Sequence, residues 1–171
     1  MCRIVILICA ALLAGLAGRA VAQSPDTLKA LLVYKCPLSP YLEAVYKRPA
    51  NVDGRGRFLT ISAKDRPQGF VQCMIGDGLV ICEASAFYGG TVSRKIPLPA
   101  QAIAALQRLG FAIGTNGENL LYERAFSGEP DFDAVAILML TTLHDAYGVR
   151  EDTELQTYAP FAGALVTACR R

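Results

Sequence analysis

Apolar positions along this chain change period in a fixed order, and the order predicts the elements. Phe58, Leu59, Thr60, Ile61, Ser62 and Ala63 form a β-rich run that ends at a turn around Asp65, Arg66 and Pro67. Two more runs of strand character, 69–75 and 79–85, flank Gly76-Asp77-Gly78. An Asp-Gly pair between β-rich runs predicts a two-residue hairpin, because both central residues of that turn need positive φ. Three consecutive strands in an antiparallel meander are the expectation for 58–85.

Elsewhere the period lengthens to that of helices. Ala102, Ile103, Leu106 and Leu109 recur at helical spacing over 99–109, and Gly110 is placed to end that helix. Residues 111–113 and 119–125 read as a second hairpin around Asn116-Gly117. Pro130-Asp131 then opens the longest helix, with Phe132, Val135, Met139, Leu143 and Ala146 on one stripe. Ala134, Ile137, Leu138 and Leu140 add apolar surface on its other sides, so that helix is expected to be largely buried. Gly148 stops it. Upstream, Asp26 caps a short helix reaching Tyr34, and Ser39-Pro40 starts a second over 41–47. Residues 51–57 read as a Gly- and Asp-rich loop, and 160–168 as a last short helix. The fold class is α+β: one antiparallel sheet, a three-stranded meander plus a hairpin, packed with helices in the order α-βββ-α-ββ-α.

The N-terminus follows another logic. Met1, Cys2 and Arg3 precede a 14-residue apolar run, 4–17, and then Arg19, Ala20, Val21 and Ala22. A basic start, a short apolar core and small residues at alternate positions are the parts of a secretory signal. The run is shorter than the ~20 residues needed to span a bilayer. Residues 1–22 are therefore expected to be a cleavable signal peptide, with 23–171 a single domain whose core is 58–149. The expected location is the periplasm or the extracellular medium, without stable membrane insertion after cleavage.

Cleavage changes the charge. The chain has 17 basic and 15 acidic residues; Arg3 and Arg19 leave with the signal, so 23–171 carries 15 of each. A neutral domain has no global electrostatic reason to bind nucleic acid. Basic residues do cluster over 47–66 and acidic ones over 118–154, as two solvated faces expected to pair within the fold or as a polar partner-binding edge.

Cys36, Cys73, Cys82 and Cys169 remain after cleavage, an even number in an exported chain, which favours disulfides. No pair has the close spacing of a zinc site. If Asp77-Gly78 are the turn residues, counting back along both strands sets Cys73 opposite Cys82 at a non-hydrogen-bonded pair, where side chains approach closely. A Cys73–Cys82 bridge is expected, and by elimination Cys36–Cys169.

The same register sorts the hairpin into two faces. Val71, Cys73, Ile75, Val80 and Cys82 share one, which the helix over 132–147 should cover. The other carries Phe70, Gln72, Met74, Leu79, Ile81 and Glu83 and is too apolar for a plainly wet surface. Either it lies under the helix over 99–109, or it is open and docks a dimer mate or a client segment. Phe70, Gln72, Met74, Leu79 and Ile81 are thus the candidate partner-binding face.

No catalytic, cofactor or metal constellation stands out. His144 is the one histidine; its neighbour Asp145 is poorly placed to orient it, since adjacent helical residues diverge, and it is expected half-solvated on the surface. Asp53-Gly54-Arg55-Gly56 and Gly89-Gly90-Thr91 lack phosphate-loop spacing and are expected to be turns.

One resemblance joins these pieces. Phe70-Val71-Gln72-Cys73, the Asp-Gly turn, 79–85, Leu98-Pro99 opening a helix that ends Leu106-Gln107-Arg108-Leu109-Gly110-Phe111, then the strand over 119–124 and the helix ending Tyr147-Gly148-Val149 resemble the TY-Chap superfamily. That group includes YbjN-like proteins and domains similar to type III secretion chaperones. The resemblance covers 58–149 and implies a chaperone-like α+β sandwich that dimerises and binds extended segments of other proteins. It carries no catalytic residues and no cofactor. The expected function is a non-enzymatic, chaperone-like binding module for a protein or peptide partner, with a homodimer possible. The alternatives are a small secreted enzyme using His144 or Glu83, or an envelope stability factor.

Overall fold

The structure, a computed structural model, describes residues 28–29, 31–48, 57–91, 94–114 and 119–160. Its centre is a six-stranded antiparallel sheet in the order β6-β7-β3-β2-β1-β8. The strands are β1 (Phe58–Ala63), β2 (Arg66–Gly76), β3 (Leu79–Ser85), β6 (Ala112–Ile113), β7 (Asn119–Ala125) and β8 (Leu155–Tyr158). A separate two-stranded sheet is formed by β4 (Phe87–Thr91) and β5 (Arg94–Pro97). Three α-helices complete the described chain: α1 (Lys35–Lys47), α2 (Ala100–Arg108) and α3 (Phe132–Tyr147). The α+β expectation and the order of the main elements hold.

Turn chemistry sets the register of the central hairpin. Asp77 and Gly78 both have positive φ, 51° and 74°, so β2 and β3 meet with Gly76 opposite Leu79 and Cys73 opposite Cys82. A Cys73–Cys82 disulfide joins the two strands there. The expected Cys36–Cys169 bridge involves Cys169, which lies outside the described residues, as do 1–27, the turn at Asn116-Gly117 and the final helix after Pro160.

One face of the sheet is the core. Leu59, Ile61, Val71, Cys73, Ile75 and Cys82 are fully or almost fully buried there. Helix α3 lies over them with Val135, Ala136, Met139, Leu140 and Leu143 inward, and α1 packs alongside it through Leu38, Leu42 and Val45. Asp131 caps α3 by accepting from the Ala134 N–H at 2.9 Å, which satisfies one of the orphan donors of the first turn. At the other end Gly148 adopts the left-handed conformation, φ 66°, and donates to the His144 carbonyl.

Three features depart from the sequence reading, and a fourth decides between two alternatives it left open. The N-terminal segment does not start a helix at Ser39: a 3-10 turn over Leu32–Tyr34 leads into α1, which runs straight through Pro40. Ser39 donates to Asp133 at 2.6 Å instead of capping, and burial of α1 against α3 outweighs the hydrogen bond that an internal proline removes. Gly89-Gly90-Thr91 is not a turn but the end of β4. A further strand, β8, pairs with β1. Helix α2 packs on α3, on the same side as the core, and does not cover the face of Phe70, Met74 and Ile81. The uneven charges do meet: Lys64 pairs with Glu154 at 2.8 Å and Lys47 with Glu129 at 4.0 Å.

Candidate functional site

The face opposite the helices has no helix on it among the described elements. Its register runs Phe58, Met74, Ile81 and Glu123 across β1, β2, β3 and β7, with Thr60, Gln72, Glu83 and Leu121 in the next row. Met74 is 41% and Leu79 38% exposed, while Phe70, Gln72 and Ile81 are half-buried among their neighbours. The polar side chains here hydrogen-bond sideways rather than outward. Thr60 donates to Gln72 at 2.9 Å, Gln156 to Ser62 at 2.9 Å, and Asn119 to Glu83. Such lateral satisfaction lowers the cost of removing water from the face.

A second surface, which the sequence reading did not single out, lies at the β7 edge. Strand β7 has seven residues, but its outer neighbour β6 pairs only with Leu120 and Leu121. Beyond them the edge is unpaired among the described strands. Alternation identifies the unpaired groups. Cys73 and Cys82 are disulfide-linked 4.0 Å apart at Cα, the close approach of a non-hydrogen-bonded pair. The backbone of Cys82 therefore turns to β7 and bonds Tyr122 opposite it. It follows that Tyr122 and Arg124 bond inward to β3, and Glu123 and Ala125 direct N–H and C=O outward. The Phe126 N–H, again inward, reaches the Gly78 carbonyl at 2.8 Å.

Beside that edge, on the helix side, α3 and β7 enclose a groove of about 560 Å³. Leu109 at the end of α2, Tyr122 and Arg124 of β7, and Ile137, Leu138 and Thr141 of α3 form its walls. Ile137 is 40% exposed. The Phe111 ring packs against the Tyr122 ring in a tilted arrangement, centroids 5.6 Å apart. The signal for this groove was present in the sequence as apolar residues off the main stripe of α3, read there as further burial.

The remaining chemistry-bearing residues do not assemble. His144 is buried, 4% exposed, and not half-solvated as expected. Its Nδ1 lies 2.6 Å from Asp145 Oδ1, so the two side chains meet at their tips although their Cα–Cβ bonds diverge. The Nε2 atom is buried without a hydrogen-bond partner. A proton on Nδ1, donated to Asp145, leaves only a lone pair at Nε2, which costs less to bury than an N–H. Glu83 is held by Asn119 on the opposite face of the sheet. Among the described residues no group of three His, Cys, Asp or Glu side chains could hold a metal ion. Tyr147 is the one strongly perturbed phenol: burial pushes its ionisation well above the ordinary range, and its hydroxyl donates to the Ser85 carbonyl at 2.5 Å.

The family model TY-Chap3, described as T3SS (YopN, CesT) and YbjN peptide-binding chaperone 3, covers residues 42–160. Neither curated proteins nor solved structures give a match.

Proposed function

The chain belongs to the TY-Chap3 family of peptide-binding chaperones, and from that premise we propose that it is an exported, non-enzymatic module that holds an extended segment of another protein. The observation that carries this reading is the outer edge of β7, unpaired among the described strands beyond Leu121, beside a mainly apolar groove. A peptide entering as an added strand satisfies the backbone of Glu123 and Ala125, and main-chain pairing of this kind gives affinity without demanding a sequence. Peptide residues opposite Tyr122 and Arg124 then point to the helix side and drop into the groove. Residues opposite Glu123 and Ala125 point to the other face. The client pattern is therefore apolar at alternate positions over about five residues, the reach of the open edge.

Export supports the same reading through chemistry. A signal peptide over 1–22 sends the domain to an oxidising compartment, where a Cys73–Cys82 disulfide persists. A holding role needs no acid, base or metal.

Substitution Ala125→Pro tests the mode of binding. Proline removes an outward N–H and leaves the β3–β7 ladder intact, the edge position where strands tolerate it. We expect binding of an alternating apolar peptide, followed by fluorescence anisotropy, to weaken roughly tenfold or more, the equivalent of one lost hydrogen bond plus ring crowding. Unchanged affinity in a normally folded Ala125→Pro protein contradicts strand addition.

A further inference from the structure

Strand β7 carries Tyr122, Glu123 and Arg124 in a row along its open edge, and the fold leaves both charges unused. Neither Glu123 nor Arg124 has an ion pair among the described residues, and both are exposed. Arg124 is in an unusual place for a cation. It stands opposite Val80, which is buried, so it belongs to the helix side of the sheet. That side of β3 and β7 is otherwise uncharged, with Val80, Cys82, Ala84, Leu120 and Tyr122. The groove wall holds one further charged residue, Asp131. Its carboxylate is engaged at the start of α3, where it accepts from the Ala134 N–H and the helix dipole offsets its charge. The Arg124 guanidinium is therefore the uncompensated charge of the groove.

Backbone direction decides how closely each side chain meets a client. Tyr122 and Arg124 bond inward to β3, so toward an added strand they occupy non-hydrogen-bonded positions. There an antiparallel client makes its closest approach, with Cα atoms about 4.5 Å apart. Glu123 exchanges hydrogen bonds with the client residue opposite it, and its side chain lies on the other face. Every described pairing of this sheet is antiparallel. A client that continues it places one residue opposite Arg124, the next opposite Glu123 and the third opposite Tyr122. Opposite charges directly across a strand pair stabilise it, and like charges destabilise it.

We propose that Arg124 and Glu123 select the client: the added strand carries an acidic, a basic and an apolar side chain at successive positions from its N-terminal end. This rests on strand addition at β7 and refines the alternating pattern, with Asp or Glu at the position facing Arg124. Main-chain pairing alone allows an added strand to slip by two residues without changing face. The two charge pairs penalise that slip and give the edge a register.

Fluorescence anisotropy with three labelled peptides tests this. Each has the same uncharged Ser-Thr flanks around a centre of Val-Thr-Val, Glu-Lys-Val or Lys-Glu-Val. The wild type should bind the Glu-Lys-Val peptide about tenfold more tightly than the Lys-Glu-Val peptide at low salt, two attractive pairs having replaced two repulsive ones. The difference should shrink at about 1 M salt, where charges are screened within about 3 Å. Arg124→Glu should erase the preference, and Arg124→Glu combined with Glu123→Lys should reverse it. Should Arg124→Glu fail to fold by circular dichroism, Arg124→Gln reads the same contact and should lower the preference to about threefold. The Val-Thr-Val peptide reports strand addition alone. If the wild type binds it yet treats the two charged peptides alike, or if the preference survives substitution of Arg124 unchanged, the charge register is overturned while strand addition stands. If none of the three binds, strand addition fails and this inference falls with it.

Discussion

Tyr147 shows how a single side chain can dominate one property. Its ring is buried at the end of α3 and its hydroxyl donates to Ser85, linking that helix to the end of β3. Burial raises the phenol above its reference value of 10.0. The unfolded chain therefore ionises first, so stability is held below about pH 10 and falls as pH rises beyond it. We expect Tyr147→Phe to cost about 1 kcal/mol at neutral pH and to flatten the alkaline decline, as read by denaturant unfolding at about pH 8 and about pH 11. A residue-by-residue reading anticipated Asp77, Gly78, Gly110 and Gly148, because positive φ is a local demand that sequence displays. It misplaced His144 because the phase of a helical stripe describes one neighbour, and α3 has the sheet beneath it and both α1 and α2 against its flanks.

Among the elements, the meander, α2, β7 and α3 were legible because each carries its own period and its own turn chemistry. The β4–β5 pair was not, since Gly89 and Gly90 within β4 hide any alternation. Nor was β8, whose Gln156, Thr157 and Tyr158 are exposed and which owes its place to pairing with β1. Pro40 pointed to a helix start that tertiary packing overrode. The β2–β3 link was legible through simple counting, and it has an energetic consequence. In the chain-entropy model a bridge across nine residues stabilises by about 2–3 kcal/mol. Because both sulfurs belong to fully buried residues, reductant should open the bridge only as fast as the fold opens. Thiol trapping in dithiothreitol at rising denaturant checks this; rapid trapping in the native protein contradicts it.

At the level of the whole molecule, the family and its fold were readable from residues, while the groove beside β7, the proposed client site, was not. The site needs the short β6 to stop at Leu121, α3 to leave Ile137 outside, and Leu109 to arrive from another helix; these are distances between elements that no local pattern records. Two expectations bear on the protein as exported. Intact mass should show a chain beginning at Gln23, and non-reducing peptide mapping should recover Cys36 joined to Cys169; retention of 1–22, or a Cys36–Cys73 linkage, counts against them. The central claim is strand addition at β7, and backbone amide exchange followed by NMR tests it most directly. Without peptide, Tyr122 and Arg124 amides should exchange slowly and those of Glu123 and Ala125 fast. With peptide bound, Glu123 and Ala125 should become protected, giving an unbroken slow strand. Protection confined to other strands, with Glu123 and Ala125 still fast in the complex, would contradict the account.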